Sequence, residues 1–218
     1  MIRPFGEAAL LVETGDAARA QVLAADLLRE PVAGMTGTVA GARSVLVELE
    51  PGSADEVAGA LASRMARVGS EVPAGRRRII PVVYGGEWGP DLPDVAALSG
   101  LPEEAVVGHH MSAELRVLFS GFAPGFAYLG DLPEPLRVPR LDTPRTSTPA
   151  GSVAVAGSMS GIYPAALPGG WRVIGRTPVT LFDPHLDPPA YLAPGDVVRF
   201  EPIEAADWER LSGRPDDW

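Results

Sequence analysis

Residues 121–130 read Gly-Phe-Ala-Pro-Gly-Phe-Ala-Tyr-Leu-Gly, and this stretch indicates how the second half of the chain folds. Glycines and a proline alternate with three aromatic residues. Gly and Pro allow tight backbone bends, so the large rings are presented from the bends themselves. A strand predicted over residues 114–119 leads into the stretch. We interpret residues 121–130 as an aromatic loop that faces a ligand or a partner.

More short apolar strands with embedded Gly and Pro follow this aromatic loop. They occupy residues 149–157, 161–164 and 168–178. Such a density of Gly and Pro favours a compact barrel, because each tight corner needs backbone angles that other residues resist. Only short strands and turns are predicted after Arg137, until a terminal helix near residues 205–211. We therefore predict a β-barrel domain over residues 85–218.

The first 84 residues carry a different pattern, with two amphipathic helices between strands. The expected order is strand 5–12, helix 16–30, strands 35–40 and 44–50, a helix opened by a capping box at Ser53–Glu56, and strand 79–84. The order β-α-β-β-α-β is typical of a ferredoxin-like sandwich. The sequence thus predicts an α+β protein, with a small ferredoxin-like α/β domain over residues 1–84 joined to the barrel at 84–90.

Neither Cys nor Lys occurs in the chain. Without Cys there is no disulfide framework, no thiolate nucleophile and no Cys-based zinc site, and we predict no metal site. All 18 basic residues are Arg, so the chain has neither a phosphate-binding loop of the usual Lys-containing form nor a Schiff-base Lys. If ATP is used, we expect a partner to bind it.

The formal net charge of −10 lies mostly in the second half. Residues 85–218 hold 9 Arg against 18 acids, a field that repels a phosphate backbone, so we exclude nucleic-acid binding. No apolar run reaches the roughly 18 residues that a membrane span needs, and residues 1–7 do not resemble a signal peptide. We expect a cytoplasmic protein without membrane contact.

His110 is a candidate for acid–base chemistry. It ends a helix predicted over residues 102–110, eleven residues before Gly121. It is a general base or a substrate donor if its imidazole projects into a pocket walled by the aromatic loop. The alternative is a capping histidine or one at the edge of the core.

Four arginines are candidates for anion binding. Arg140 and Arg145 each follow a rigid proline, and Arg172 and Arg176 lie on one predicted strand. An Arg on a stiff backbone is a planar clamp for a carboxylate or phosphoryl group. The alternative for each is an internal ion pair. We expect two of the four to converge on one pocket.

Candidate binding residues cluster in the glycine-rich phrases. The aromatic rings have barrel core as their alternative role, and Ser152 lacks the Ser-His-Asp surroundings of a nucleophile. Our candidate substrate- or partner-binding residues are Phe122, Pro124, Phe126, Tyr128, Ser152 and Tyr163.

These phrases together resemble a known family, the proteins that form the B subunit of bacterial 5-oxoprolinase. The family is also described as allophanate hydrolase subunit 1 and includes an inhibitor of a sporulation histidine kinase. The matching phrases are residues 121–130, 143–145, 149–153, 161–164, 168–171, 174–178, 181–183 and 194–200, with 6–8 and 81–86 near the start. The resemblance implies a cyclophilin-like barrel after a small α/β domain.

The resemblance also implies an activity, the ATP-dependent opening of 5-oxoproline to glutamate with two partners, the A and C subunits. Because the chain has no Lys and no complete catalytic constellation, we expect Mg-ATP to be bound on a partner and this chain alone to be inactive. Our catalytic candidates for this activity are His110, Arg140, Arg145 and Arg176. Met159 stands where family members often have Gln, so any role of that Gln side-chain amide in substrate contact is in question here. Ala127 stands where Pro is common, which affects only the stiffness of the loop.

Two other functions stay open. One is a binding module that inhibits a sensor histidine kinase, with Phe122, Phe126 and Tyr128 as anchors on a helical hairpin. The other is a subunit of a related allophanate or urea amide hydrolase or carboxyltransferase.

Overall fold

A computed structural model describes residues 1–69 and 75–213. The chain divides into two compact units, Met1–Ala74 and Gly75–Trp218. This division falls before strand Arg77–Tyr84, whereas the sequence placed the joint after it, at 84/85. The strand pairs with others of the second unit and therefore belongs there.

The first unit is a four-stranded antiparallel sheet with two helices. Its elements are β1 (Ile2–Pro4), β2 (Ala9–Glu13), α1 (Ala17–Arg29), β3 (Met35–Ala40), β4 (Ser44–Leu49) and α2 (Ala54–Met65). The strand order is β1-β2-β4-β3, and buried aliphatic side chains of both helices and of the central strands β2 and β4 form the core.

The strand that completes this sheet differs from the predicted one. The edge place beside β2, expected for residues 79–84, is taken by β1, which pairs Ile2 with Val12. Gly6 has φ +69 and turns the chain between β1 and β2, so only residues 9–12 of the strand predicted over 5–12 are extended, and they pair with residues 2–4 in a hairpin. The unit therefore runs β-β-α-β-β-α instead of the ferredoxin-like β-α-β-β-α-β.

The two helices of this unit begin differently, and the capping box predicted at Ser53–Glu56 is wrong. Asp16 Oδ1 accepts the Arg19 N–H at 2.8 Å at the start of α1. Ser53 makes no cap bond to α2, because its Oγ donates instead to the carbonyl oxygens of Gly34 and Glu50 at 2.9 and 2.8 Å.

The second unit contains the predicted closed barrel. Its elements are β5 (Arg77–Tyr84), α3 (Leu92–Ser99), α4 (Glu103–Ser112), β6 (Leu115–Ser120), β7 (Ala127–Gly130), β8 (Arg145–Thr148), β9 (Ser152–Ala156), β10 (Met159–Ile162), β11 (Leu167–Gly169), β12 (Arg172–Arg176) and β13 (Val197–Pro202). Seven strands close in the order β10-β7-β6-β13-β5-β12-β9, and β8 pairs with β11 separately. Instead of the predicted terminal helix, residues 205–211 form two 3₁₀ turns.

Alternation along the barrel strands separates an inner and an outer core. Val153 and Val155 of β9 pack with aliphatic side chains from all around the barrel, so they point inward. Ala154 and Ala156 pack with aromatic rings in a second cluster on the outer side. The small outer side chains leave room for those rings. Within residues 1–69 and 75–213, no helix is long and apolar enough to cross a membrane.

Candidate functional site

An aromatic pocket of about 110 Å³ lies on the outer side of the barrel. One charged residue lines it, beside aromatic rings and a Pro-Gly-Gly turn. The lining residues are Phe122, Phe126, Tyr128, Arg140, Tyr163, Pro168, Gly169, Gly170 and Trp171. The structure thus brings together five of the predicted site residues, four of them aromatic.

Phe126 is the centre of the ring cluster. It is 2% exposed, and its ring meets those of Phe122, Tyr163 and Trp171 edge to face, with centroids 5.4, 5.3 and 6.0 Å apart. Such perpendicular pairs match the positive edge of one ring to the negative face of the other. Gly161 lies beneath, because a Cβ there would be 2.9 Å from Phe126 Cζ and 3.1 Å from Trp171 Cζ3. The glycine phrase at 161–164 therefore serves close ring packing.

Phe122 is held in a strained backbone conformation at the exposed side of the pocket. Its φ is +70, in the left-handed region that bulky residues avoid, and 58% of the residue is exposed. The loop around it is closed by Gly121 N–H to Phe126 O at 3.2 Å and Phe126 N–H to Ala123 O at 3.0 Å. These bonds hold the exposed ring in place.

Arg140 is the charged group of the pocket. Its Cζ lies 5.9 Å from the Trp171 ring centroid, and within residues 1–69 and 75–213 it has no ion-pair partner. The backbone on both sides is fixed, since Arg172 Nε donates to Pro139 O at 3.0 Å and Leu141 N–H donates to Gly170 O at 2.7 Å. A guanidinium so placed is available to an anion.

The two tyrosines of the pocket are neutral donors. Burial raises the pKa of the Tyr128 phenol, and the charge of Arg140 opposes that rise. Burial also raises the pKa of Tyr163, opposed first by the backbone N–H of Trp171. The pocket therefore combines one positive charge, phenolic groups and ring faces.

Arg145 lies elsewhere, in an internal ion pair. Its Nη2 donates to Asp91 Oδ1 at 2.5 Å, and the other carboxylate oxygen accepts the Val173 N–H at 2.7 Å. Asp91 is 4% exposed and directly precedes α3, so the pair joins that helix to β12 and β8. Arg145 is not among the pocket walls, and the structure places it in the ion-pair role that was its alternative.

Arg176 is also absent from the pocket walls. Its Nε donates to Ala150 O at 3.1 Å, and its Cζ lies 5.5 and 5.4 Å from the ring centroids of Trp88 and Trp208. Arg172 donates to Asp94 and to Pro139 O. In the part of the chain that the structure describes, Arg140 alone of the four arginines lines the pocket, so the expected convergence of two is not found.

His110 is in the barrel interior and not in the pocket. It is 0% exposed and stacks on Phe200 with ring centroids 4.3 Å apart. Its Nδ1 is 2.8 Å from Tyr84 Oη, and its Nε2 is 3.1 Å from Ser160 Oγ. Burial lowers the pKa of His110 to about 3, so the imidazole is neutral near pH 7. The position matches the core histidine that was the alternative to a general base.

Two further candidates lie outside the pocket walls, and one wall residue was missed. Ser152 is fully buried and its Oγ has no hydrogen-bond partner in the described part of the chain, whereas Pro124 is exposed. Trp171, which packs on Phe126, was not among the predicted site residues. The sequence feature that indicates its place is the Gly-Gly pair before it. A Cβ at Gly169 would collide with the Tyr163 hydroxyl, so the pair marks close packing beside the pocket.

The sequence of this chain matches the model of a known family. The chain belongs to the family of the carboxyltransferase domain, subdomain C and D, whose model matches residues 1–192. The chain is 56% identical over 130 residues to the B subunit of 5-oxoprolinase from Escherichia coli O157:H7, which is 60% of each chain. It is 45% identical over 146 residues to the B subunit of 5-oxoprolinase from Bacillus subtilis (strain 168), covering 66% of this chain and 61% of that protein. The resemblance stated from the sequence phrases is confirmed, and the match spans about 60% of these relatives' length.

Two solved structures of similar fold are of chains much longer than this one. TTHA0988 is 36% identical with a TM-score of 0.78, over 94% of this chain and 41% of that one. The Kluyveromyces lactis urea amidolyase is 21% identical with a TM-score of 0.77, over 96% of this chain and 15% of that one. The second likeness shows the fold alone. In both proteins the matching region is one part of a longer chain.

Proposed function

We propose that this chain is the B subunit of an ATP-dependent 5-oxoprolinase and that, with the A and C subunits, it converts 5-oxo-L-proline to L-glutamate. The names of the relatives support the assignment to this subunit. The observation that carries the proposal is that Arg140, which has no ion pair in the described part of the chain, lines a small aromatic cavity.

The chemistry of 5-oxoproline fits this cavity. The substrate is a flat five-membered lactam with one carboxylate. A guanidinium recognises a carboxylate through two parallel hydrogen bonds, and ring faces cover the flat lactam. The volume of about 110 Å³ is below the roughly 300 Å³ at which pockets for drug-sized ligands begin. The cavity suits a small ring, and Mg-ATP is assigned to a partner subunit because this chain has no Lys.

The alternative use as an inhibitor of a histidine kinase has one supporting observation. Phe122 is 58% exposed and could anchor on a partner, but Phe126 at 2% exposed is part of the ring cluster and offers no such anchor. The further alternative, a urea or allophanate amide hydrolase or carboxyltransferase, is supported only by the fold of the yeast enzyme.

The test is 5-oxoproline-dependent ATP hydrolysis and glutamate release by this chain mixed with the A and C subunits of the same source. We expect glutamate only when all three are present. Arg140→Ala should lower kcat/KM about 100-fold, because it removes a charged contact to the substrate carboxylate. Arg140→Lys should recover part of that loss, since an ammonium keeps the charge but not the planar fork.

The matched control is Arg199→Ala. Arg199 is an exposed arginine of β13, which lies three places from β10 around the barrel. It should leave kcat/KM within about twofold. Full glutamate release without this chain would overturn the enzyme proposal, and a pull-down of a histidine kinase would then be the next experiment. Equal losses of kcat/KM in the Arg140 and Arg199 variants would show that the pocket does not bind the substrate.

A further inference from the structure

A chain of hydrogen bonds crosses the barrel interior through His110. It runs from Tyr84 Oη to His110 Nδ1 at 2.8 Å, from His110 Nε2 to Ser160 Oγ at 3.1 Å, and from Ser160 Oγ to Ala154 O at 3.1 Å. The four residues come from β5, α4, β10 and β9. The chain therefore ties a helix to three strands of the barrel.

The number of available protons allows only one direction of donation along these hydrogen bonds. The Ser160 hydroxyl has one proton, and it is donated to Ala154 O. Ser160 Oγ must then accept from His110, which places the imidazole proton on Nε2. Nδ1 is left as an acceptor for the Tyr84 O–H. In this one arrangement both imidazole nitrogens of His110 and the hydroxyl groups of Tyr84 and Ser160 are hydrogen-bonded.

Strand β10 has the aromatic pocket on its opposite side. Ser160 faces inward, while Met159 packs against the outer aromatic cluster and Gly161 lies under the Phe126 ring. Gly161 pairs with Tyr128 of β7, which lines the pocket, and with Ala154 of β9. β10 therefore lies directly behind the rings that line the pocket.

The register of β10 decides which residues lie behind those rings. The strand is four residues long and pairs with β9 at four positions and with β7 at two. A slip by one residue would turn Ser160 outward and Gly161 inward, because side chains alternate. Such a slip would break the hydrogen bond from His110 to Ser160. The imidazole N–H would then be buried without a partner, and this cost opposes the slip.

We propose that His110 is a positioning residue for the aromatic pocket: through Ser160 it fixes the register of β10 and hence the packing of the rings that line the pocket. It performs no proton transfer in this role. That the ligand is 5-oxoproline rests on the proposed function, whereas the positioning itself does not.

The first test needs no ligand. The chain has five Met and three His, so ¹³C-methyl Met and ¹⁵N-imidazole spectra are simple to assign. We expect a neutral His110 with its proton on Nε2. Ser160→Ala should move the Met159 methyl signal, and Ser160→Thr, which keeps the hydroxyl, should return it to the wild-type position. An unmoved Met159 signal in Ser160→Ala, or a proton on Nδ1, would overturn the proposal.

Two further variants separate positioning from a general loss of stability. Thr177→Val removes a different buried hydroxyl of the same unit, one that accepts the Val179 N–H at 3.2 Å, and should leave the Met159 signal unchanged. If Ser160→Ala does not fold, Tyr84→Phe removes only the donor to Nδ1. Without this donor the imidazole proton should be shared between Nδ1 and Nε2. The Met159 signal should therefore shift, but by less than in Ser160→Ala. A wild-type spectrum for Tyr84→Phe would count against the proposal.

The second test uses the three-subunit enzyme with 5-oxo-L-proline. Ser160→Ala should raise KM about tenfold with kcat within twofold, and Ser160→Thr should restore KM to within twofold. A fall in kcat at constant KM would overturn positioning and favour proton transfer. If the wild-type mixture makes no glutamate, the proposed function fails, and the Met159 spectra still decide the role of His110.

Discussion

The outer and inner sides of β9 and β10 use polar groups in opposite ways. On the outer side, Arg140 stands beside aromatic rings without an ion pair in the described part of the chain. On the inner side, both ring nitrogens of His110 are hydrogen-bonded and the imidazole is neutral. Of these two sides, the outer one has an unused charge and space for a ligand. A satisfied polar chain on one side supports an unsatisfied binding group on the other.

The largest expected effect concerns the inner side and pH. The pKa of His110 is about 3 in the folded protein against 6.5 for an ordinary histidine, so the unfolded chain takes up the proton first. This contribution to stability is complete above pH 6.5 and falls as the pH drops toward 3. Between pH 6.5 and 4.5 we expect the free energy of unfolding to fall by about 2–3 kcal/mol.

Urea unfolding followed by tryptophan fluorescence measures this loss, because all four Trp residues follow residue 75 and report the barrel unit. His110→Gln, which does not titrate, is the comparison and should lack this part of the pH dependence. Asp26, whose pKa is lowered chiefly by its hydrogen bond from Arg64, lies in the other unit and loses its contribution only as the pH falls below 3.8. Parallel pH profiles for wild type and His110→Gln would contradict the neutral interior imidazole.

The next effect contrasts two arginines that each follow a proline. Arg145→Ala should lower the free energy of unfolding by about 2–3 kcal/mol, because it leaves the Asp91 carboxylate buried without its ion pair. Arg140→Ala should change it by less than about 0.5 kcal/mol, since the residue is exposed and has no ion pair in the described chain. Urea unfolding of both variants at pH 7 gives the comparison, and similar losses for the two would show that Arg140 also has a structural partner.

The smallest effect tests the space under the rings. Gly161→Ala should destabilise the barrel by about 1–2 kcal/mol and weaken ligand binding, because its Cβ would press on Phe126 and Trp171. Gly108→Ala on α4 is the matched control; its Cβ meets nothing within 4 Å, so it should stabilise the unit by about 0.5–1 kcal/mol. Equal thermal midpoints for the two variants would rule out the tight ring packing.

The aromatic part of the site could be predicted from the sequence, and the division of the arginines could not. Gly and Pro around Phe122, Phe126 and Tyr128 indicate rings held on bends, and these rings line the pocket. The phrases Pro139-Arg140 and Pro144-Arg145 are locally alike. Arg145 is paired because the fold places Asp91 next to it, although the two residues are 54 positions apart in the sequence. No local pattern contains that contact.

The same limit applies to His110. Its place near the end of a helix was predicted, but its hydrogen-bond partners are 26 and 50 residues away. Whether a histidine faces a pocket or the core depends on how the helix packs on the barrel. The periodicity of α4 is weak, because Val106 and His110 are its only buried residues, so its inward face was not evident.

The sequence by itself determined the local elements and the chemical limits. Strand 35–40, the first helix of the chain and the aromatic loop follow from residue types a few positions apart, and the lack of Lys and Cys excludes whole classes of site. Only the tertiary structure decided that β5 belongs to the barrel, where it pairs in parallel with β13, and that β1 completes the first sheet. The physical reason is that backbone propensity acts over a few residues, whereas strand pairing and burial are settled between segments that are far apart in the chain.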